Sequence, residues 1–412
     1  MLDKLYPTRE EVIKDYLAFQ ESIKDLPRID VRHLDEIKNF LNAHLDIQTS
    51  EEAEEVLAYL YSLENEWKEY YKIIPSQIYP NIHLCIAAAY VALKQPNDAI
   101  NILEKCISVI ENATEYRYLF RILADMHTGL ATLYHEQNNP TIAHAHMQKS
   151  VRYLLTQFNQ TSYKDYAFYS FRPLRDYVLE GIKENIIYLS DPTTFNDPLD
   201  PVLLTHIQRM IETATDEQEK KLFQLQKDVY DRVRIASLCR GRRLPEGEEV
   251  EDRSLYSDPP FSEINKSYMW GYYADSHKGI CIKYVFPENF TSERDGEVLI
   301  LRNVNYEDWY NPQSDTFSYR QAFFSKGKDW AHEGECRLVY YKEDGEVDTY
   351  HKVKLPENCI TEIYVGYAAS AEDKSQLKGV LKDYPNVRLF LMRLSKNNLF
   401  ELEPEEISID QL

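Results

Sequence analysis

The hydrophobic period of this chain changes once, near residue 160, and that change constrains its fold more than any other feature. Up to about residue 160, apolar positions recur at helical spacing, with almost no glycine and no β-branched runs. From about residue 166, aromatic and β-branched residues, glycine and proline rise, and short strand-like runs alternate with turn formers. The two periods call for different layers, so the sequence predicts a helical domain over 1–160 and a mixed α+β domain over 166–412. A length of 412 residues fits two or three domains better than one core.

In the helical part, residues 8–24 open with a capping-box pattern, Thr8 followed by Glu11, and segments 33–44 and 51–73 continue the period. A repeat follows. Ile86, Ala87, Tyr90, Ala99, Leu103 and Cys106 stand at one set of offsets, and Leu130, Ala131, Tyr134, Ala143, Met147 and Ser150 stand at the same set. The turn-forming stretches KQPND and EQNNP divide each copy. This pattern resembles the tetratricopeptide (TPR) repeat, in which small residues let paired helices approach and large ones fill the groove. Ala99 and Ala143 are 44 residues apart, against about 34 in the standard repeat, which predicts longer helices or an extra turn. The resemblance implies a concave surface for a protein or peptide partner. The same face could instead join two chains as a homodimer or pack on the second domain. His127, His135, His144 and His146 are expected to be solvated surface residues.

Composition narrows the function. With 68 acidic against 47 basic residues the net charge is −21, which excludes a fold-wide basic surface for nucleic acid. Six scattered cysteines without a CxxC pair predict neither a disulfide framework nor a zinc site, so no metal is expected. The longest nearly apolar run, 84–93, is too short for a bilayer, and the opening MLDKLYPTREEV lacks an apolar signal core. A cytoplasmic protein without a membrane partner is the expectation. Phosphate-binding glycine loops, HExxH and Gly-x-Ser-x-Gly are absent from the sequence.

In the second half, strands are predicted over 167–171, 186–189, 233–239, 279–285, 298–304, 335–341, 349–354, 360–365 and 387–393. Helices are predicted over 174–184, 201–232 and 371–383. Four blocks stand out: YSFRPLRDYVLEGIKENIIYLSDPTTFNDPLD (169–200), SYMWGYYADSHKGICIKYVF (267–286), FFSKGKDWAHEGECRLVYY (323–341) and ITEIYVGYAAS (360–370). In this order, over roughly 166–405, they resemble a bacterial family of domains of unknown function. That family shares an aromatic-x-Arg start, FNDPFD, MWxxYAxxHxG and WxxExExR, and it looks distantly related to ADP-ribosyltransferases. Leu199 stands where the family has Phe, and residues 240–262 form an insert.

The resemblance implies NAD+ as substrate and ADP-ribose transferred to a macromolecular acceptor or to water. It also implies that Arg172 holds a phosphate or the nicotinamide ribose, that Ser190 with Tyr188 frames the nicotinamide, and that Glu335 or Glu333 stabilises the reacting ribose. Chemistry supports those residue types. Breaking the N-glycosidic bond passes through an oxocarbenium-like ribose, and a fixed carboxylate stabilises that charge. Glu333, Glu335 and Arg337 alternate along the predicted strand, so all three share one side while Cys336 and Leu338 face the core. Arg337 could keep two close carboxylates ionised. Trp270, Tyr272, Tyr273 and Trp330 offer flat faces, and His277 and Lys326 a proton donor and a phosphate contact.

Plainer alternatives exist for each. On the residues alone the Glu–Glu–Arg run reads as a solvated sheet face before a catalytic one, and only the resemblance reverses that order; FNDPLD reads as a turn with Asn196 and Asp200 structural and Asp197 open, and Trp270 as core. The basic run Arg232, Arg234, Arg240, Arg242, Arg243 before acidic 246–252 reads as a self-neutralising mobile loop, or as a basic lip for a nucleotide. Two rival functions follow: a non-enzymatic docking module on a TPR scaffold, and a metal-dependent nuclease using Asp197, Asp200 and Glu335.

Overall fold

The computed structural model describes residues 49–67, 78–112, 119–156, 166–197, 199–243, 264, 267–287, 290–307, 323–382, 384, 386–397 and 401–412. The expected helices over 8–24 and 33–44, and the acidic run 246–252, lie outside the described residues. The chain divides into two compact units, Met1–Gln157 and Phe158–Leu412. Each has its own core.

In the first unit, helix α1 (Ser50–Trp67) packs on α2 (Ile78–Ala92) through Ala53, Val56 and Leu60 against Ile82, Cys85, Ile86 and Ala89. Helices α3 (Pro96–Asn112), α4 (Phe120–Glu136) and α5 (Pro140–Thr156) complete two helical hairpins, α2–α3 and α4–α5. Their turns match atom for atom. Lys94 and Asn138 are both left-handed, with φ 58° and 55°. The next amides, of Gln95 and Asn139, each donate to the carbonyl of Tyr90 or Tyr134 at 2.9 Å, a helix-ending geometry. Pro96 and Pro140 then start the second helices, where a missing N–H costs nothing. Ala99, Leu103 and Cys106, and likewise Ala143, Met147 and Ser150, are buried.

The histidines depart from expectation. His127 and His135 are buried and His144 and His146 are half-buried, so none of the four is a solvated surface residue. Buried imidazoles call for polar partners, and the neighbouring helix supplies one to His127 Nδ1 while its Nε2 has none among the described residues. His127 Nδ1 lies 2.8 Å from His146 Nδ1, and Tyr153, stacked on His127, donates to Glu111 at 2.6 Å. Burial pulls the His146 imidazole down to about 4 and lowers that of His127.

The second unit is α+β. Its strands are β1 (Tyr166–Arg172), β2 (Ile186–Ser190), β3 (Arg234–Arg243), β4 (Ile280–Val285), β5 (Ser292–Arg294), β6 (Glu297–Asn303), β7 (Asn305–Glu307), β8 (Ser325–Gly327), β9 (Glu335–Lys342), β10 (Tyr350–Lys354), β11 (Ile360–Val365), β12 (Arg388–Leu394) and β13 (Leu402–Ile407). Among the described residues, the main sheet runs β13-β12-β11-β4-β1-β3-β9-β6-β5, with β2 bridging β3 and β10. Its pairings are antiparallel except β11 with β12, and β7 and β8 form a separate parallel pair.

Alternation along the strands divides the sheet into two faces. Phe168, Ala236, Leu238, Ile280, Ile282, Cys336 and Leu338 meet helices α6 (Asp176–Glu184) and α10 (Ala371–Leu381) on one face. Phe171, Cys239, Cys281, Tyr364 and Phe390 meet α9 (Ser267–Tyr273) on the other. Neither 402–407 nor helix 267–273 was anticipated. The predicted helix over 201–232 is two helices, α7 (Val202–Thr213) and α8 (Glu217–Tyr230), because Asp216 caps a new start by accepting from the Gln218 amide.

The basic run is neither lip nor loop in its described part. Arg232 donates to the carbonyls of Lys342 and Gly345, and buried Arg234 to those of Asp231, Val233 and Asp348. Both are spent on backbone oxygens at the end of the sheet.

Candidate functional site

Strand pairing builds one wall of the site. Glu335 stands opposite Cys239, and Cys239 opposite Tyr169, so β9, β3 and β1 bring these positions into a row on the α9 face. Glu333 arrives differently from expectation. It is not on the strand but ends the 3-10 turn Lys328–Glu333, and Gly334, left-handed at φ 54°, reverses the chain into β9. The strand is also not a solvated face: Glu333, Glu335 and Arg337 are 3%, 4% and 0% exposed.

Burial at that level requires near-complete pairing. Lys326 Nζ, on β8, lies 2.6 Å from Glu333 Oε2 and 3.1 Å from Glu335 Oε2. Arg337 Nε donates to Glu335 Oε1 at 2.8 Å, and its Nη2 to Asp200 Oδ2 at 2.5 Å. The Tyr273 hydroxyl donates to Glu333 Oε1, and the Tyr306 hydroxyl accepts from the Glu335 amide. Burial opposes ionisation of Glu335, yet Arg337 and Lys326 together outweigh it and hold its carboxyl down at about 2. Burial likewise opposes the charge of Lys326, but Glu335 and Glu333 raise its ammonium above the ordinary value. Tyr273, desolvated and bonded to Glu333, is pushed well above the usual phenol range.

A cleft of about 660 Å³ opens beside this cluster, within the range of small-molecule sites. Arg172, Ser190, Asn196, Asp200, Lys326, Glu333 and Glu335 line it, with Tyr272 and Tyr273 among its aromatic walls. Five sequence-selected residues, Arg172, Ser190, Lys326, Glu333 and Glu335, therefore share one cavity. Arg172, half-buried at the end of β1, bonds Ser170 through Nε at 3.0 Å and joins none of the ion pairs among the described residues.

The other selected residues stand elsewhere. Tyr188 lines a second cleft of about 370 Å³, with Tyr177, Tyr350 and Lys352, which adjoins the first through Arg172, Tyr177 and Ser190. Trp270 is core: fully buried, edge-on to Phe171 at 5.3 Å, its indole N–H donating to Ile264. Asp197 makes a turn, accepting from the Leu199 amide at 2.9 Å. Arg337 lies behind the cleft wall and reaches it through Glu335. His277 lines neither cleft; its backbone accepts from Ala368 and donates to the Trp270 carbonyl, which ties it into the fold.

The turn that holds His277 also packs on the Arg172 backbone. Asp275, Ser276 and His277 are all left-handed, a strained run at the cleft edge. It is held because Gly279 lies against the Arg172 backbone, where an added Cβ would come within 2.1 Å of the carbonyl oxygen. Gly279→Ala is therefore expected to destabilise the second unit by about 2–3 kcal/mol. The denaturation midpoint measures it, and an unchanged midpoint would contradict the close approach.

Sequence reasoning gave Asp200 a site role only in the nuclease reading and otherwise treated it as a structural turn residue. The available signal was its place closing FNDPLD, next to Pro201, where a turn could aim a carboxylate inward. Among the described residues, no group of three or more His, Cys, Asp or Glu could hold a metal ion. Asp200, Glu333 and Glu335 pair with Lys326 and Arg337, and Asp197, the remaining carboxylate of the nuclease reading, makes a turn. No helix among the described residues is long and apolar enough to cross a membrane.

Neither a protein-family model, nor a curated protein, nor a solved structure matches the chain, so the resemblance carried by the four blocks rests on those residues alone.

Proposed function

We propose that the second unit cleaves NAD+ and transfers ADP-ribose to water or a macromolecule, in the manner of ADP-ribosyltransferases. One observation carries this reading: Arg172, Ser190, Lys326, Glu333 and Glu335 line a single cleft of about 660 Å³. The bond from nicotinamide nitrogen to ribose C1′ breaks, and its electron pair leaves with neutral nicotinamide. The ribose carries the developing positive charge, which ionised Glu335 stabilises. A water or acceptor nucleophile then bonds C1′ and gives up its proton. Arg172, with nitrogens outside the ion pairs, suits a phosphate oxygen of the substrate.

In this reading the helical unit is a TPR-like docking or sensing module. It would take a protein or peptide partner on its concave face, or a second copy of the chain. The whole would act in the cytoplasm as a toxin- or defence-type effector. Its support is the matched turn geometry of the two hairpins and the shared burial of Ala99 with Ala143 and Leu103 with Met147. The rival binding-module reading also has support, since every oxygen of Glu333 and Glu335 already accepts from protein groups.

Nicotinamide release from NAD+ by the purified chain separates the two. Release sustains the enzyme reading. Absence of release, with lysate supplying acceptor and trigger, moves the conclusion to the binding module.

A further inference from the structure

Beside Glu335, the cleft wall is short of one positive charge. Asp200, Glu333 and Glu335 are three carboxylates, each nine-tenths or more buried, and the cations set among them are Lys326 and Arg337. Glu333 and Glu335 are satisfied at both oxygens. Asp200 is not. Its Oδ2 accepts from Arg337, with Lys326 3.9 Å away, while its Oδ1 is buried without a hydrogen-bond partner. The residue lines the cleft.

A buried carboxylate oxygen with no donor is costly, and structures rarely keep one without a reason. A water, a neutral donor, a proton or a cation can satisfy it, and the surplus of one negative charge among these buried groups favours the cation. Burial pushes the Asp200 carboxyl above its ordinary value, and Glu335 adds to that push against Arg337, so an added positive charge nearby would favour its ionised form. Arg172 lines the same cleft, but it is bonded to Ser170 and half-exposed, so water screens it.

We infer that Asp200 is the residue by which the cleft recognises a planar, singly cationic group of its ligand. On the NAD+ reading, on which this inference rests, that group is the pyridinium ring. Water leaves as the ligand enters, and the attraction between Asp200 and the ring strengthens in the drier cleft. The cleft should therefore tell the oxidised nucleotide from its reduced form, whose dihydropyridine ring is neutral and otherwise nearly the same shape.

The test is calorimetric titration of the full chain with carba-NAD+, which cannot be cleaved at the glycosidic bond, and with reduced carba-NAD. The wild type is expected to bind the cationic form at least about tenfold more tightly. Asp200→Asn keeps the shape and an oxygen for Arg337 but removes the charge. It is expected to lose most of that preference by weakening the cationic form alone. Equal affinities in the wild type, or a preference that survives in Asp200→Asn, would overturn the inference and leave the NAD+ reading standing. Failure of both forms to bind the wild type would remove the NAD+ reading and this inference with it. The unfolding midpoint of Asp200→Asn guards against a variant that has lost its fold, and equal affinities in the wild type overturn the inference without it.

Discussion

Glu335→Gln is expected to lower nicotinamide release at least about 10²-fold, with Glu333→Gln falling less. The difference follows from how each carboxylate is held. Glu335 is on β9, fixed by backbone pairing to β3 and β6 and by the Arg337 fork. Its negative charge survives burial because Arg337 and Lys326 stabilise it. A charge already fixed in place costs no reorganisation when the ribose becomes positive, which is where such a group is most effective. Glutamine preserves the shape and one acceptor oxygen but has no charge to offer.

Glu333 ends a turn and accepts from the Tyr273 hydroxyl and Lys326. Its loss should act mainly through the position of Lys326, and so more on KM than on kcat. Equal, complete loss in both variants with folding intact would mean that the pair works as one unit. Unchanged release in Glu335→Gln would remove Glu335 from the chemistry.

Arg337→Leu is expected to cost the second unit about 3–5 kcal/mol. Arg337 is fully buried and answers two carboxylates and the Phe323 carbonyl at once. Leucine fills part of the volume and leaves Asp200 and Glu335 facing each other with Lys326 alone between them. Typical domains are stable by about 5–15 kcal/mol, so the loss should show as a large drop in denaturation midpoint. Arg337→Lys keeps the charge without the planar fork and should fall between. A leucine variant within 0.5 kcal/mol of wild type would refute the buried network. Because the cost arises from unpaired carboxylates, lowering the pH until they protonate should narrow the gap between Arg337→Leu and wild type.

Much of the second unit was legible because its strands alternate. The predicted strands 335–341 and 360–365 correspond to β9 and β11, since Cys336, Leu338 and Ile363 recur with period two and meet one core. Strand β13, LEPEEI, was not legible because its charged residues carry no apolar alternation and it pairs only at the sheet edge. The break between α7 and α8 was hidden because Asp216 looks like any polar residue in a charged run.

The site was legible in part, along one dividing line. Arg172, Ser190, Glu333 and Glu335 were selected by the family resemblance and Lys326 for its chemistry, and all five line one cleft. Tyr188, Trp270, Asp197 and His277 were chosen by the same reasoning and do not line it, because residue type says nothing about which side of a turn or sheet a side chain faces. Outside the nuclease reading, Asp200 was left as a turn residue for the converse reason. Its role depends on Arg337, which is far away in sequence and close only through folding.

By itself, then, the sequence determined the two periodicities, the helical hairpins with their proline starts, and the strand faces, all properties of residues near one another along the chain. Tertiary structure alone decided that Glu333 comes from a turn, that three carboxylates share two cations, and that Asp200 keeps an unanswered oxygen at the cleft. These are matters of charge and distance between segments that meet only in the folded unit.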